Sequence, residues 1–352
     1  MPYIKNIILL VISLVTIAVA LEICLHVFPV ITVTRARSLE LNSHPLDVAA
    51  IPNEEYNYSV GPLFKNSRTR KSNSQGFFSD YNYESGSRPI VVIGDSFVEA
   101  LQVEFHETFH QLLGHKLGFK IYNFGISGAP LSQYEAYVQD VCERYRPNII
   151  IISIVNNDFD QSFSAHHGAS GFYHYNNNGE IEPTYYSLGL WKELANRSSL
   201  VKYVYFHLGV GLMLNNFTRT VNDSYSHEMP TDENYYSIHD RAAKIFLDNM
   251  KNYCVQPNEI IFIVDANRAK NGIYESEFRI PYMSDFIQQA RQLGYRVLDL
   301  TGPFTKEYQE SRGNQRFEFS FDGHWNKTGH RIVADELNMM LRGDYRNQHQ
   351  VF

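Results

Sequence analysis

Cysteine is scarce in this chain, with three residues in 352. That is too few for the disulfide framework of a small secreted domain, so the fold must rest on a packed core. Cys24 lies in an N-terminal apolar run. Cys142 and Cys254 fall in expected helices, ahead of Pro147 and Pro257, and would pair only in an oxidising compartment. None of the three sits in a spacing that suggests a metal site or a nucleophile. Excess positive charge is also missing. Lys and Arg number 31 against 38 Asp and Glu, the formal net charge is -7, and no basic stripe occurs. Nucleic acid is therefore not an expected partner. Internal repeats are absent, and Asn176-Asn177-Asn178 is the one low-complexity patch, which excludes a repeat array. What remains is ordinary globular material, 44% hydrophobic and 20% charged, enough for one large domain or two modest ones. Tyr (24) and Phe (23) are plentiful; most serve packing, and those in loops suit stacking on sugar rings.

The N-terminus is apolar over an unusual length. Lys5 precedes a run from Ile7 to Leu21 that is broken only by Ser13 and Thr16, and the character resumes after Glu22 to Val33. Two readings compete. One is an uncleaved signal anchor over residues 1–33, its transmembrane helix ending near Pro29. The other is a cleaved signal peptide with Ala18-Val19-Ala20 as the small-residue site, giving a secreted protein. The run continues well past that site, which favours the anchor; a buried core helix is a third, weaker alternative. Lys5 on one side and Arg35 and Arg37 on the other leave orientation open. Both leading readings place the rest of the chain outside the cytoplasm, in a periplasm or at a cell surface.

Residues 34–88 are polar and read as a stem and domain edge. The domain proper is expected over 89–345. Apolar runs at Ile90–Ile93, Lys120–Asn123, Asn148–Ile154, Glu259–Val264 and Arg296–Leu300 read as strands. Helical patterns at Phe105–Leu117, Leu131–Tyr145, Ile238–Tyr253, Phe286–Leu293 and Lys327–Leu341 alternate with them. Strands without polar alternation are covered on both faces, and strand–helix alternation implies right-handed crossovers. The expected fold is α/β: a three-layer α/β/α sandwich on a five-stranded parallel sheet, preceded by the N-terminal transmembrane helix. Residues 160–236 interrupt the rhythm and read as an insertion after the third strand, on the side where such sheets bind ligands.

Four segments carry acyl-transfer chemistry. Gly94-Asp95-Ser96 follows a buried strand and precedes a helix, a turn that exposes the Ser96 hydroxyl and aims backbone N–H groups at a forming oxyanion. The bland alternative is helix capping by Asp95 or Ser96. Gly128, after Asn123-Phe124-Gly125-Ile126-Ser127, lets backbone approach a substrate and offers a second N–H, unless it is only a turn glycine. Asn157 ends the most apolar strand, where its amide suits an oxyanion and Asp158 suits a cap. In Asp322-Gly323-His324-Trp325, His324 has the pKa to take the serine proton and return it, and Asp322 is placed to orient its ring. His330, inside the last helix, is the rival base. His106-Glu107-Thr108-Phe109-His110 fits the zinc pattern His-Glu-x-x-His, with both imidazoles on one expected helix face. No third ligand accompanies it, so no metal and no cofactor are expected.

These segments resemble the SGNH (GDSL-type) hydrolase family over residues 72–342. Gly94-Asp95-Ser96-Phe97 stands for its first block, Gly128 for the second, Asn157-Asp158 for the third, and Asp322-Gly323-His324 with Gly329-His330 for the last. The resemblance implies a flavodoxin-like sandwich and Ser96 as nucleophile. It further implies an oxyanion hole of Ser96 N–H, Gly128 N–H and Asn157, and a triad completed by His324 and Asp322. Two departures stand out. Val155 replaces the usual glycine of the third block, and a single residue separates Asp322 from His324, with Trp325 following. That last variant resembles SGNH proteins of bacterial surface-polysaccharide systems, esterases and O-acetyltransferases alike. The expected activity is a serine esterase acting on O-acyl groups of a glycan or on small esters. The alternatives are an O-acetyltransferase that passes the acyl group to a sugar hydroxyl, and a non-catalytic glycan-binding or assembly protein.

Overall fold

Apolar runs with no polar alternation have no face to offer water, and they assemble here as one parallel sheet. The computed structural model describes residues 2–32, 44–163, 171–185, 189–211, 233–266, 281–320 and 323–349. In chain order its elements are α1 (Pro2–Leu25), β1 (Glu55–Val60), β2 (Lys65–Lys71), β3 (Ile90–Gly94), α2 (Ser96–Glu99), α3 (Phe109–Leu117), β4 (Ile121–Gly125), α4 (Leu131–Arg144) and β5 (Ile149–Ile154). There follow β6 (Tyr173–Tyr175), β7 (Ile181–Pro183), α5 (Leu190–Arg197), α6 (Ser199–Lys202), α7 (Glu233–Met250), β8 (Ile260–Val264), α8 (Pro281–Gln292), β9 (Arg296–Asp299), α9 (Thr301–Glu310) and α10 (Lys327–His349).

The chain divides into two compact units. The smaller holds Met1–Ala36, Glu55–Arg70 and Leu188–Met229. Its α1 is long and apolar enough to cross a membrane, and the most apolar stretch of it is not buried in the protein. The larger unit holds the sheet, in the order β4-β3-β5-β8-β9 with every neighbouring pair parallel. Numbered by appearance this is 2-1-3-4-5, the flavodoxin-like winding, which opens a crevice beyond the strand ends where the order reverses. Side chains alternate between two helical layers. Val91 and Ile93 of β3 pack with Tyr134 of α4, Phe246 of α7 and Phe286 of α8. Val92 packs with Phe109 of α3, Phe304 of α9 and Leu337 of α10. The chain thus forms the expected α/β/α sandwich on a five-stranded parallel sheet.

Three local features depart from the sequence reading. The expected helix Phe105–Leu117 breaks at Thr108, whose backbone is extended, into a 3-10 turn and α3. The His-Glu-x-x-His segment therefore does not lie on one helix face. His110 is fully buried with Nδ1 3.3 Å from the Thr108 hydroxyl, and Glu107 accepts the Glu104 N–H. Helix α9 was not expected from the sequence; its first turn holds Gly302 and Pro303, and a proline there lacks only an N–H that would be unpaired anyway. Part of the polar stem, Glu55–Lys71, forms the β1–β2 hairpin.

Edge strand β4 exposes a row of backbone groups that invite foreign strands. Two tyrosines cover it. The Tyr81 hydroxyl donates to Ile121 O (2.7 Å) and accepts from Ile121 N (3.1 Å); Tyr83 does the same at Asn123 (2.7 and 3.0 Å). Burial pushes the Tyr81 phenol up to about 12, and pushes Tyr83 further, so both stay protonated and able to donate.

Cys142, at the end of α4, is joined to Cys254, beyond α7, with Cα atoms 5.5 Å apart. The bond spans 112 residues of sequence, and cross-linking so long a loop restrains the unfolded chain. Replacing both cysteines by alanine should lower unfolding free energy by about 2–4 kcal/mol. Urea titrations of wild type and variant, with and without reductant, check this: reductant should move the wild type alone.

Candidate active site

Ser96 opens α2 at the carboxyl end of β3. Asp95 is the cap: its Oδ1 accepts the Phe97 N–H at 3.0 Å, and its C=O accepts the N–H groups of Val98 and Glu99. The cap turns the chain so sharply that the Ser96 side chain is left half-buried at the sheet end. The Ser96 Oγ lies 2.6 Å from His324 Nε2 and 3.4 Å from Asp95 Oδ2, so the imidazole is its nearer partner. The sequence capping alternative and the catalytic one are compatible, since Asp95 caps while Ser96 faces the ring.

The neighbouring strand ends supply donors. Gly125, ending β4, lies so close to α2 that a Cβ there would collide with the Glu99 backbone nitrogen. This contact fixes where the following loop begins, and Asn123 Oδ1 holds the Gly125 N–H at 2.8 Å. Gly128 in that loop has φ +77°, a conformation side chains disfavour. Neither the Ser96 nor the Gly128 N–H donates to a described residue. Ser127 beside it donates a short hydrogen bond to the buried Glu99 carboxylate, which ties the loop back to α2. Asn157 is exposed in a 3-10 turn at the end of β5. Asp158 next to it is fully buried and locks that turn: Oδ2 accepts the Val155 N–H (2.7 Å) and Oδ1 the Tyr134 hydroxyl (3.0 Å).

His324 arrives from the far end of the chain on a short loop. Its C=O accepts the Phe319 N–H (2.8 Å), and Gly323 N donates to Phe319 O (3.0 Å). Trp325 is the anchor. Its indole is 1% exposed, its Nε1 donates to Asp265 Oδ1 (2.9 Å), and its ring meets Phe97 edge-on at 4.9 Å. Phe97 also lies 4.8 Å from the His324 ring. Asn326 then caps α10 through the N–H groups of Thr328 and Gly329. Asp322, the expected orienting carboxylate, lies outside the described residues. His324, not the rival His330, meets the Ser96 hydroxyl; His330 is buried in α10, stacked on Phe109, with Nδ1 accepting the Phe109 N–H.

The acids around the site are held high. Burial pushes the Asp95 carboxyl up; the Phe97 N–H and the His324 charge oppose that, and Asp265 adds to it. Burial raises Asp158 well above the usual range, and Asp95 reinforces the shift. Both carboxyls hold turns through fixed donors. Two contributors escaped the sequence reading. Asp265 carries the same signal as Asn157, a polar residue directly after an apolar strand, β8. Glu99 had no sequence signal beyond its place three residues after Ser96.

Comparison with known proteins gives a family match over part of this sheet. Residues 90–184 match the family described as GDSL-like Lipase/Acylhydrolase. Over those residues the chain is similar to GDSL-like acylhydrolases. No curated protein sequence matches it. Among solved structures, a lipolytic protein of the G-D-S-L family from Veillonella parvula DSM 2008 is similar at 10% identity and a TM-score of 0.38, covering 72% of this chain and 96% of that one. A two-domain esterase active on acetylated mannans gives 11% identity and 0.40, covering 72% and 49%. A carbohydrate esterase family 2 enzyme of Corynascus thermopiles gives 13% and 0.39, covering 81% and 74%. Identities this low say nothing about substrate. Within the matched residues, the valine in place of the glycine expected in the third block causes no strain. Val155 has φ -121° and ψ 168°, extended backbone open to any residue, and its side chain is buried.

The Trp325 anchor makes a stability prediction. Trp325→Phe should cost about 1–3 kcal/mol, because the Asp265 acceptor loses its indole donor while the ring packing survives. Trp325→Ala should cost about 3–5 kcal/mol by opening a cavity among the aromatic rings. Denaturant melts of the two variants measure the difference.

Proposed function

We propose that this chain is a serine esterase that removes O-acyl groups, acetyl foremost, from a glycan, through an acyl-enzyme on Ser96. The 2.6 Å approach of the Ser96 hydroxyl to His324 Nε2 carries the reading. A proton acceptor at hydrogen-bond distance makes the hydroxyl a competent nucleophile. Ser96 Oγ attacks the acyl carbonyl carbon as its proton passes to His324. The carbonyl oxygen becomes an oxyanion, met by the N–H groups of Ser96 and Gly128 and by the Asn157 amide. Collapse breaks the bond to the sugar oxygen, which takes the proton from His324 and leaves as an alcohol. Water then attacks the acyl-serine, gives a proton to His324, and the second collapse frees the carboxylic acid and Ser96. Asp322 is assigned to the Nδ1 side, where a carboxylate would hold the ring's tautomer and favour the imidazolium.

The glycan part of the proposal rests on the Asp322-Gly323-His324-Trp325 variant and its resemblance to surface-polysaccharide proteins. Work outside the cytoplasm is supported by two features. The apolar α1 suits a signal anchor, and the Cys142–Cys254 bond forms and persists in oxidising compartments. The same Asp-Gly-His-Trp segment also favours a second reading, transfer of the acyl group to a sugar hydroxyl instead of water. Both use the same acyl-enzyme and differ in the acceptor.

A fluorophosphonate probe should label wild type and leave Ser96→Ala unlabelled. Equal labelling of both would sink the proposal. Asn157→Ala should lower kcat by about a hundred- to a thousand-fold, the usual effect of losing one oxyanion donor. Its melting should not change, since the side chain is exposed. Acetate release from acetylated glycans, followed with and without an unacetylated acceptor glycan, separates hydrolysis from transfer.

A further inference from the structure

A helix bathed in water turns its apolar face inward. The stretch formed by α6 and the π-turn that continues it, Tyr203–His207, does the reverse. Val201, Val204, Tyr205 and Leu208 follow one another at helical spacing and are 44%, 36%, 40% and 48% exposed. Phe206 beside them is 42% exposed. The polar groups face inward. His207 is buried; its Nδ1 meets the Gly61 carbonyl at 2.9 Å, and its Nε2 meets the Ile31 N–H at 3.1 Å. A carbonyl only accepts and an N–H only donates, so the ring is neutral with its proton on Nδ1. The Tyr203 hydroxyl donates to Pro62 O at 3.2 Å, and Phe64 packs between Phe28 and the Tyr203 and His207 rings. An inside-out face of this kind is a docking surface.

The position of the face identifies its occupant. Glu22 lies in the last turn of α1, and its carboxylate accepts the Ser198 hydroxyl (2.8 Å) and the N–H groups of Ser199 (2.8 Å) and Leu200 (2.9 Å). That pins the start of α6 to one level of α1. At helical rise this level is roughly 28 Å along the axis from Tyr3, close to the thickness of a hydrocarbon core of about 30 Å. The face therefore begins where a membrane-crossing α1 emerges. Its composition, aromatic and branched aliphatic with Lys202 alongside, suits the bilayer interface. Leu63, in the hairpin turn that Tyr203 holds, is 80% exposed and extends the apolar surface around the exit of α1.

We propose that α6 and its π-turn lie in the plane of the bilayer interface, with Val201, Val204, Tyr205 and Leu208 seated among lipid headgroups and upper acyl chains. The proposal rests on the signal-anchor reading of α1 and adds a second membrane contact from residues almost two hundred positions later in the chain.

The test uses the full chain, with the Cys142–Cys254 bond kept oxidised, in phosphatidylcholine–phosphatidylglycerol vesicles. In a Cys24→Ser background, single cysteines are placed by Val204→Cys, Leu14→Cys and Lys306→Cys and labelled with an environment-sensitive fluorophore. The Val204→Cys label should be blue-shifted, several-fold less open to aqueous iodide than the Lys306→Cys label, and quenched by lipids carrying a shallow quencher. The Leu14→Cys label should respond to deep lipid quenchers. If the label at 204 is as open to iodide as the one at 306 while the label at 14 is in lipid, the interfacial contact is wrong and the anchor stands. If the label at 14 is also aqueous, both readings fall. Shielding from iodide without any lipid quenching would give the face to a second copy or another protein and overturn the proposal.

Discussion

The hydrogen bond between the Ser96 hydroxyl and the His324 ring joins positions 228 residues apart, and the architecture of the candidate site depends on that closure. One end is set by β3, whose buried register brings Gly94 beside Gly125 of β4 and leaves Ser96 at the sheet end. The other end is set by the residue after the histidine. Trp325 is buried among aromatic rings and bonded to Asp265, itself just past β8. The histidine loop is thus tied to the same sheet that carries the serine. A flexible loop would spend little time within reach; one anchored on both sides holds the ring beside the Ser96 hydroxyl.

The loops around this contact are shaped by buried acids more than by their own sequences. Asp95 caps α2, Asp158 locks the turn that presents Asn157, and Glu99 takes the Ser127 hydroxyl next to Gly128. Burial pushes both Asp95 and Asp158 toward the neutral form, with Asp265 adding to it at Asp95 and Asp95 adding to it at Asp158. Their cost is offset by fixed N–H and hydroxyl donors, which is the condition for a carboxyl to remain inside a protein. The result is a set of donors placed at three successive strand ends, β4, β3 and β5, beside the point where the winding reverses.

Much of this was legible beforehand. Every sheet strand and nearly every sandwich helix had a local signature: β-branched runs for β3, β5 and β8, Pro147 to stop α4, and the Gly-Asp-Ser turn for the start of α2. Ser96, Gly128 and Asn157 stood out by residue type and by their positions after strands, His324 by its ring chemistry and the nearby Asp322, and Ser96 and His324 meet. The misses share one cause. The break at Thr108, the helix α9 behind Pro303, and the role of Asp265 depend on what packs against them, and a local window does not contain that information.

The amino-acid sequence by itself determined the layered class, the strand and helix starts, the apolar N-terminal helix and the candidate residues for acyl chemistry. Periodicity, branching at Cβ and the functional groups of side chains are properties of short stretches, so they survive without a fold. Only the tertiary structure decided that Cys142 meets Cys254, that His324 and not His330 faces Ser96, and that the extended backbone at Val155 has no need of glycine. It alone decided that α6 turns its apolar side outward, capped by a glutamate from α1. Each of these turns on which distant residues share the same few ångströms, and burial and hydrogen bonding act on that neighbourhood and not on sequence order.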